Sequence, residues 1–150
     1  MIKITINPSM KRMITYFFMI CLLSSSFRTV GPVKMFGIST EQPFLLGKSG
    51  MISCSYDLEG SQLYSVKWYK NGEEFYRFMP GMDDHTQVFS VPGVSIDLHQ
   101  SGMNSLHLAT VSRDTAGIFR CEVSTEAPHF YTAVEAVSVT VSGRDFSFFE

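Results

Sequence analysis

Long apolar runs are missing from this 150-residue chain. No stretch reaches the ~18 residues that a membrane-spanning helix needs. A basic excess is missing too, with 12 Lys and Arg against 14 Asp and Glu. Nucleic-acid-binding domains ordinarily carry such an excess, so no nucleic-acid partner is expected. Charge of either sign is scarce at 17%, while 45% of residues are hydrophobic and 13% aromatic. That balance excludes a disordered tail, a collagen repeat or a coiled coil, and leaves one domain with a real core. Gly-x-Ser-x-Gly, His-Glu-x-x-His and a phosphate loop are all absent, so the chain carries none of the common hydrolase or nucleotide signatures.

The four histidines do not fill that gap. Asp83-Asp84-His85 has cation-binding residue types but lies in a turn-rich stretch with no partner at ligand spacing, which describes a solvated loop. Asp97 and His99 fall on one face of a strand without a third ligand or a nucleophile. No metal, cofactor or small-molecule substrate is expected, and no enzymatic activity. An Asn-x-Ser/Thr sequon is absent beyond residue 26, since Asn7-Pro8-Ser9 is blocked by its proline.

What is present begins with an address. Lys11 and Arg12 precede the apolar run from Met13 to Leu23, and Ser24-Ser25-Ser26 follows. A positive patch, an apolar stretch of about 7–15 residues and small residues at its end describe a secretory signal peptide. A short membrane anchor or a buried first strand are the competing readings. We assign residues 1–26 to the signal, 30–142 to one domain and 143–150 to a tail or the start of a further domain. Removing the signal takes Lys3, Lys11 and Arg12 but no acid, so 9 basic residues face 14 acidic ones, a net −5. Cys21 leaves as well. Cys54 and Cys121 remain, either as two free thiols or, as an oxidising compartment favours, as one disulfide.

From residue 30 onward, short alternating runs are separated by turn residues. Ile52, Cys54 and Tyr56 alternate with polar neighbours, as do Tyr64, Val66 and Trp68, then Leu106 and Leu108, then Phe119, Cys121 and Val123, then Val137, Val139 and Val141. Period two with one apolar face marks strands half buried in a two-sheet core. Asn71-Gly72 reads as a tight hairpin, and Pro80-Gly81 and Pro92-Gly93 as further turns. Cys54 and Cys121 stand 67 positions apart, with Trp68 14 after the first. A cysteine on an early strand, Trp on the next and a late second cysteine form the pin of an immunoglobulin-like β-sandwich. The room after Trp68 for extra strands favours the variable type. The expected fold class is therefore all-β, with Trp68 and Phe119 packed at an inter-sheet disulfide.

Two positions depart from the common pattern. The usual Tyr two residues before the second cysteine is Phe119, which packs but cannot make the corner hydrogen bond. Asp114 stands seven residues before Cys121, leaving Thr115 where an Asp is usual. Neither the tyrosine bond nor an Asp–Arg pair is carried over.

A narrower likeness lies in three segments. These are Leu63 to Arg77, Val91-Pro92-Gly93-Val94 with Asp97-Leu98, and Gly117 to Ser124 followed by Glu126-Ala127-Pro128. Together they resemble the first immunoglobulin domain of the beaten path family of arthropod neuronal proteins, over about Val33 to Val141. The resemblance implies a secreted or membrane-anchored receptor that binds Sidestep-family immunoglobulin proteins in axon guidance and fasciculation. Members usually continue into a second immunoglobulin-like domain.

Three functions compete: extracellular recognition of another cell-surface immunoglobulin protein, a soluble immune-type or small-ligand-binding variable domain, and a structural spacer. The outward face of the sheet holding the Trp68 and Cys121 strands discriminates them. A mixed-charge, partly apolar face favours a protein partner, and a uniformly polar one a spacer. By alternation, Lys67, Tyr69, Arg120 and Glu122 point outward. The hairpin is expected to widen this face with Glu74, Phe75, Tyr76, Arg77 and Phe78, although its phase is ambiguous because both sides are apolar. Glu126, His129 and Phe130 are expected to border it.

Overall fold

The computed structural model describes residues 31–143. The expected signal, residues 1–26, and all of the expected tail but Gly143 lie outside the described residues. Ten strands follow in order: β1 Lys34–Thr40, β2 Phe44–Leu45, β3 Gly50–Asp57, β4 Leu63–Lys70, β5 Glu73–Phe78, β6 Thr86–Val88, β7 Ser105–Leu108, β8 Gly117–Thr125, β9 Thr132–Val139 and β10 Val141–Ser142. A 3-10 turn at Arg113–Thr115 leads into β8. No helix among the described residues is long and apolar enough to cross a membrane.

The alternating residues build two sheets, one ordered β1-β3-β7 and the other β6-β5-β4-β8-β9, while β10 runs parallel to β2. Strands β5 and β6, inserted after the Trp68 strand, extend the larger sheet as in a variable-type sandwich. The hairpin between β4 and β5 turns at Asn71, φ 48, and Gly72, φ 91. Both central residues thus take the positive φ that such a turn requires. Asn71 also accepts the Ile118 amide through Oδ1 at 2.9 Å, tying the hairpin to the start of β8.

The core fills the space between the sheets. Ile52, Leu106 and Leu108 from the smaller sheet meet Val66, Trp68, Phe119 and Val123 from the larger, all of them fully enclosed. Burying each such side chain contributes roughly 1.5–3 kcal/mol. Cys54 and Cys121 are bonded across the sheets with Cα atoms 6.4 Å apart. Trp68 stands opposite Cys121 in the β4–β8 register. Closing a loop of 67 residues stabilises the fold by ~4 kcal/mol in the chain-entropy picture.

The corner before β8 is rebuilt around Thr115. Its hydroxyl donates to the Gly93 carbonyl at 2.7 Å and accepts the Ser112 amide at 2.9 Å. Gly93 is needed for this approach: it has φ +77, and a Cβ there would overlap the Asp114 backbone. Phe119 instead packs edge-on against Phe75, ring centroids 5.7 Å apart.

Strand β5 departs from the expected phase. Trp68 pairs with Tyr76 but Tyr69 pairs with Glu74, so a bulge places Phe75 as an extra residue. Two consecutive side chains therefore turn inward. Phe75 is 0% and Tyr76 1% exposed, and the Tyr76 hydroxyl donates to the Gly102 carbonyl at 3.2 Å. Phe78 is partly buried against the core. The expectation that Phe75, Tyr76 and Phe78 widen the outer face is corrected: all three serve the core.

Candidate recognition face

Antiparallel partners share a face, so the register assembles the outer surface of the larger sheet row by row. One row runs Glu74, Tyr69, Arg120, Ala136, and the next Gln87, Arg77, Lys67, Glu122, Val134. Ile118 and Ser138 flank the first. Six of the expected residues, Lys67, Tyr69, Glu74, Arg77, Arg120 and Glu122, thus lie on one surface.

Five of those six are joined by hydrogen bonds or ion pairs, while Arg120 meets the network through a ring contact and leaves its Nε without a hydrogen-bond partner. Glu122 Oε1 lies 3.5 Å from Lys67 Nζ and accepts the Tyr69 hydroxyl at 3.3 Å. The Arg120 guanidinium lies over the Tyr69 ring, 4.2 Å from its centroid. Arg77 holds Glu74 with two bonds, Nε to Oε1 at 2.7 Å and Nη2 to Oε2 at 2.9 Å, and its guanidinium sits 5.8 Å above the Phe89 ring. The Tyr69 phenol is pushed above its ordinary value, first by burial and then by the Glu122 and Glu74 charges. Such partly exposed ion pairs contribute only ~0–1 kcal/mol each. Their effect is to hold long side chains in one arrangement, with both charge signs displayed around an aromatic ring.

Exposed apolar residues border the network. Ile118 is 57% and Val134 44% exposed, and neither was anticipated. The signal for Val134 lay in the phase of β9: Ala133, Glu135 and Val137 take the inward positions opposite Val123, Cys121 and Phe119. Of the expected border residues, His129 stacks on Tyr131 at 5.4 Å and Phe130 is 68% exposed. Glu126 is partly buried and lines a cavity of about 110 Å³ with Tyr64, Met79, Gly81 and Met82. Another cavity, about 140 Å³, is lined by Lys70, Asn71, Glu73, Val91 and Pro92. Both fall below the roughly 300–1,000 Å³ of drug-sized ligand sites. Among the described residues, no group of three or more His, Cys, Asp or Glu side chains is placed to hold a metal ion.

Comparison with known proteins agrees with this architecture. No curated protein matches the chain in sequence. A marsupial T cell receptor superposes with a TM-score of 0.55 at 16% identity, over 76% of this chain and 39% of that one. The V domain of amphioxus IgVJ-C2 gives 0.54 at 15% identity, over 66% of this chain and 97% of that one. Murine CRIg gives 0.55 at 17%, over 75% and 100%. At these identities the likeness establishes the fold. The family model for the immunoglobulin domain matches residues 40–132, more than half of the sequence, and the chain belongs to that family.

Proposed function

We propose that this protein is an extracellular recognition module that binds another cell-surface immunoglobulin-superfamily protein through the outer face of β6-β5-β4-β8-β9. The composition of that face carries the reading. Lys67 is paired with Glu122 and Arg77 with Glu74, Arg120 lies over the Tyr69 ring, and exposed Ile118 and Val134 stand beside them. Protein interfaces draw most of their affinity from a few aromatic, apolar and Arg anchors, and fixed side chains lose less entropy on binding. Tyr69, Arg77, Ile118 and Val134 are the proposed anchors, and Phe130 and His129 the rim. The disulfide and the signal-like leader fit an oxidising, extracellular setting. The resemblance to the beaten path family supports a Sidestep-like partner and a role in axon guidance, fasciculation or adhesion.

The test is a binding screen of the secreted domain against cell-surface immunoglobulin ectodomains. The proposal expects capture of a Sidestep-like ectodomain. Silence across the set, with folded protein verified, would return the domain to the spacer reading.

A further inference from the structure

The cavity lined by Tyr64, Met79, Gly81, Met82 and Glu126 gathers three separate segments: the start of β4, the β5–β6 connection and the residue that follows β8. Its walls are fixed by backbone hydrogen bonds. The Glu126 amide donates to the Gln62 carbonyl at 2.9 Å and its carbonyl accepts the Phe130 amide at 3.3 Å. The Met79 amide donates to the His85 carbonyl at 2.7 Å, and the Met82 amide to the Met79 carbonyl at 3.2 Å.

The chemistry of the lining is lopsided. One carboxylate, one phenol ring and two thioethers face a space of about 110 Å³, and no cation lines it. Among the described residues, the Glu126 carboxylate has no hydrogen bond or ion pair. Its Oε1 lies 3.8 Å from where a Cβ on Gly81 would stand. An apolar side chain entering here would strip water from an unpaired charge, which is costly. An anion would be repelled. A cation would gain the carboxylate and the aromatic and sulfur surfaces together.

We propose that this cavity receives one arginine side chain of the protein partner. A guanidinium is planar and weakly hydrated, stacks on aromatic rings and meets carboxylates in a two-bond fork. The volume admits the end of one side chain. This rests on the recognition reading above and specifies what the partner presents at the loop end of the sandwich, next to the exposed Phe130.

The experiment titrates the disulfide-bonded, ¹⁵N-labelled chain with n-butylguanidinium and, as a neutral analogue of the same shape, n-butylurea. The proposal expects saturable shifts of the Gly81, Met82 and Glu126 amides in the millimolar range with the cation alone. Glu126→Gln should weaken that binding by about two- to fivefold, the scale of one partly exposed charge pair. Gly81→Leu, whose Cβ meets nothing closer than ordinary contact, should fill the space and abolish it. Equal shifts with butylurea, an unchanged titration in Glu126→Gln, or no saturable shift would overturn the arginine site. Each of those results concerns the cavity only and leaves binding by the sheet face to be decided by the ectodomain screen.

Discussion

The two sheets share one core and one disulfide, yet their outer faces have little in common. On the smaller sheet the register aligns Ser39, Ser53 and Ser105, then Gly37 with Ser55, and Met51 with His107. Apart from the Lys34–Asp57 end, that face is uncharged, with small hydroxyls beside exposed Met51, and β1 adds exposed Phe36. On the larger sheet the equivalent positions hold Lys67, Tyr69, Glu74, Arg77, Arg120 and Glu122 with Val134 and Ile118. Inward demands are the same for both, because each has to fill the space around Cys54–Cys121. Outward, nothing in folding requires long charged side chains on one sheet and serines on the other. The asymmetry is what supports the proposal that partner recognition belongs to the larger sheet.

The largest effects should come from what the faces share. Phe75→Ala removes a fully buried ring packed on Phe119 and should cost ~3–5 kcal/mol of stability. Arg77→Ala, two residues along the same strand, should cost well under half of that in the same urea titration. Similar losses would mean that the bulge is misplaced. Cys54→Ala should cost ~2–5 kcal/mol or abolish secretion, removing both faces together. Recovery of native, secreted protein with two alkylatable thiols at 54 and 121 would break the account of the pin.

Smaller effects separate the faces. Tyr69→Ala deletes the ring under Arg120 and the donor to Glu122. It should cost ~1–3 kcal/mol of partner binding, read by surface plasmon resonance, with the thermal midpoint nearly unchanged. On the smaller sheet, the Tyr56 hydroxyl donates to Asn104 Oδ1 at 2.8 Å, and burial pushes its phenol up to about 12. Its folded value lies above the unfolded value of about 10, so its stabilising contribution is complete below about pH 10 and lost as pH rises through about 12. Tyr56→Phe should flatten that alkaline decline in thermal midpoint. An unchanged decline would show that burial of this phenol is not its source.

The divided legibility of the chain has a physical basis. Period-two alternation and the Cys54, Trp68, Cys121 spacing disclosed the sandwich, because a half-buried strand has only two phases and the pin sets which one is inward. The same rule placed Lys67, Tyr69, Arg120 and Glu122 correctly outward. It failed on β5, where Phe75-Tyr76 follow one another and a bulge lets both turn in; the run offers no glycine to mark the bulge. It also passed over Val134, because Ala133, Val134 and Val137 leave both sides of β9 apolar in composition. The corner was legible as a departure, through Phe119 and Thr115, but the bond from Thr115 to Gly93 links residues 22 apart and has no local signature.

The central claim is that the larger sheet's outer face is the partner surface. The most direct measurement presents the wild-type chain, Val134→Arg and Met51→Arg to the same panel of immunoglobulin-superfamily ectodomains. Val134 and Met51 are similarly exposed, at 44% and 54%, on opposite sheets, so each arginine disturbs one face and spares the core. The account predicts that an ectodomain captured by the wild type is retained by Met51→Arg and lost by Val134→Arg. Capture retained by Val134→Arg and lost by Met51→Arg would contradict it and move the interface to the serine-lined sheet.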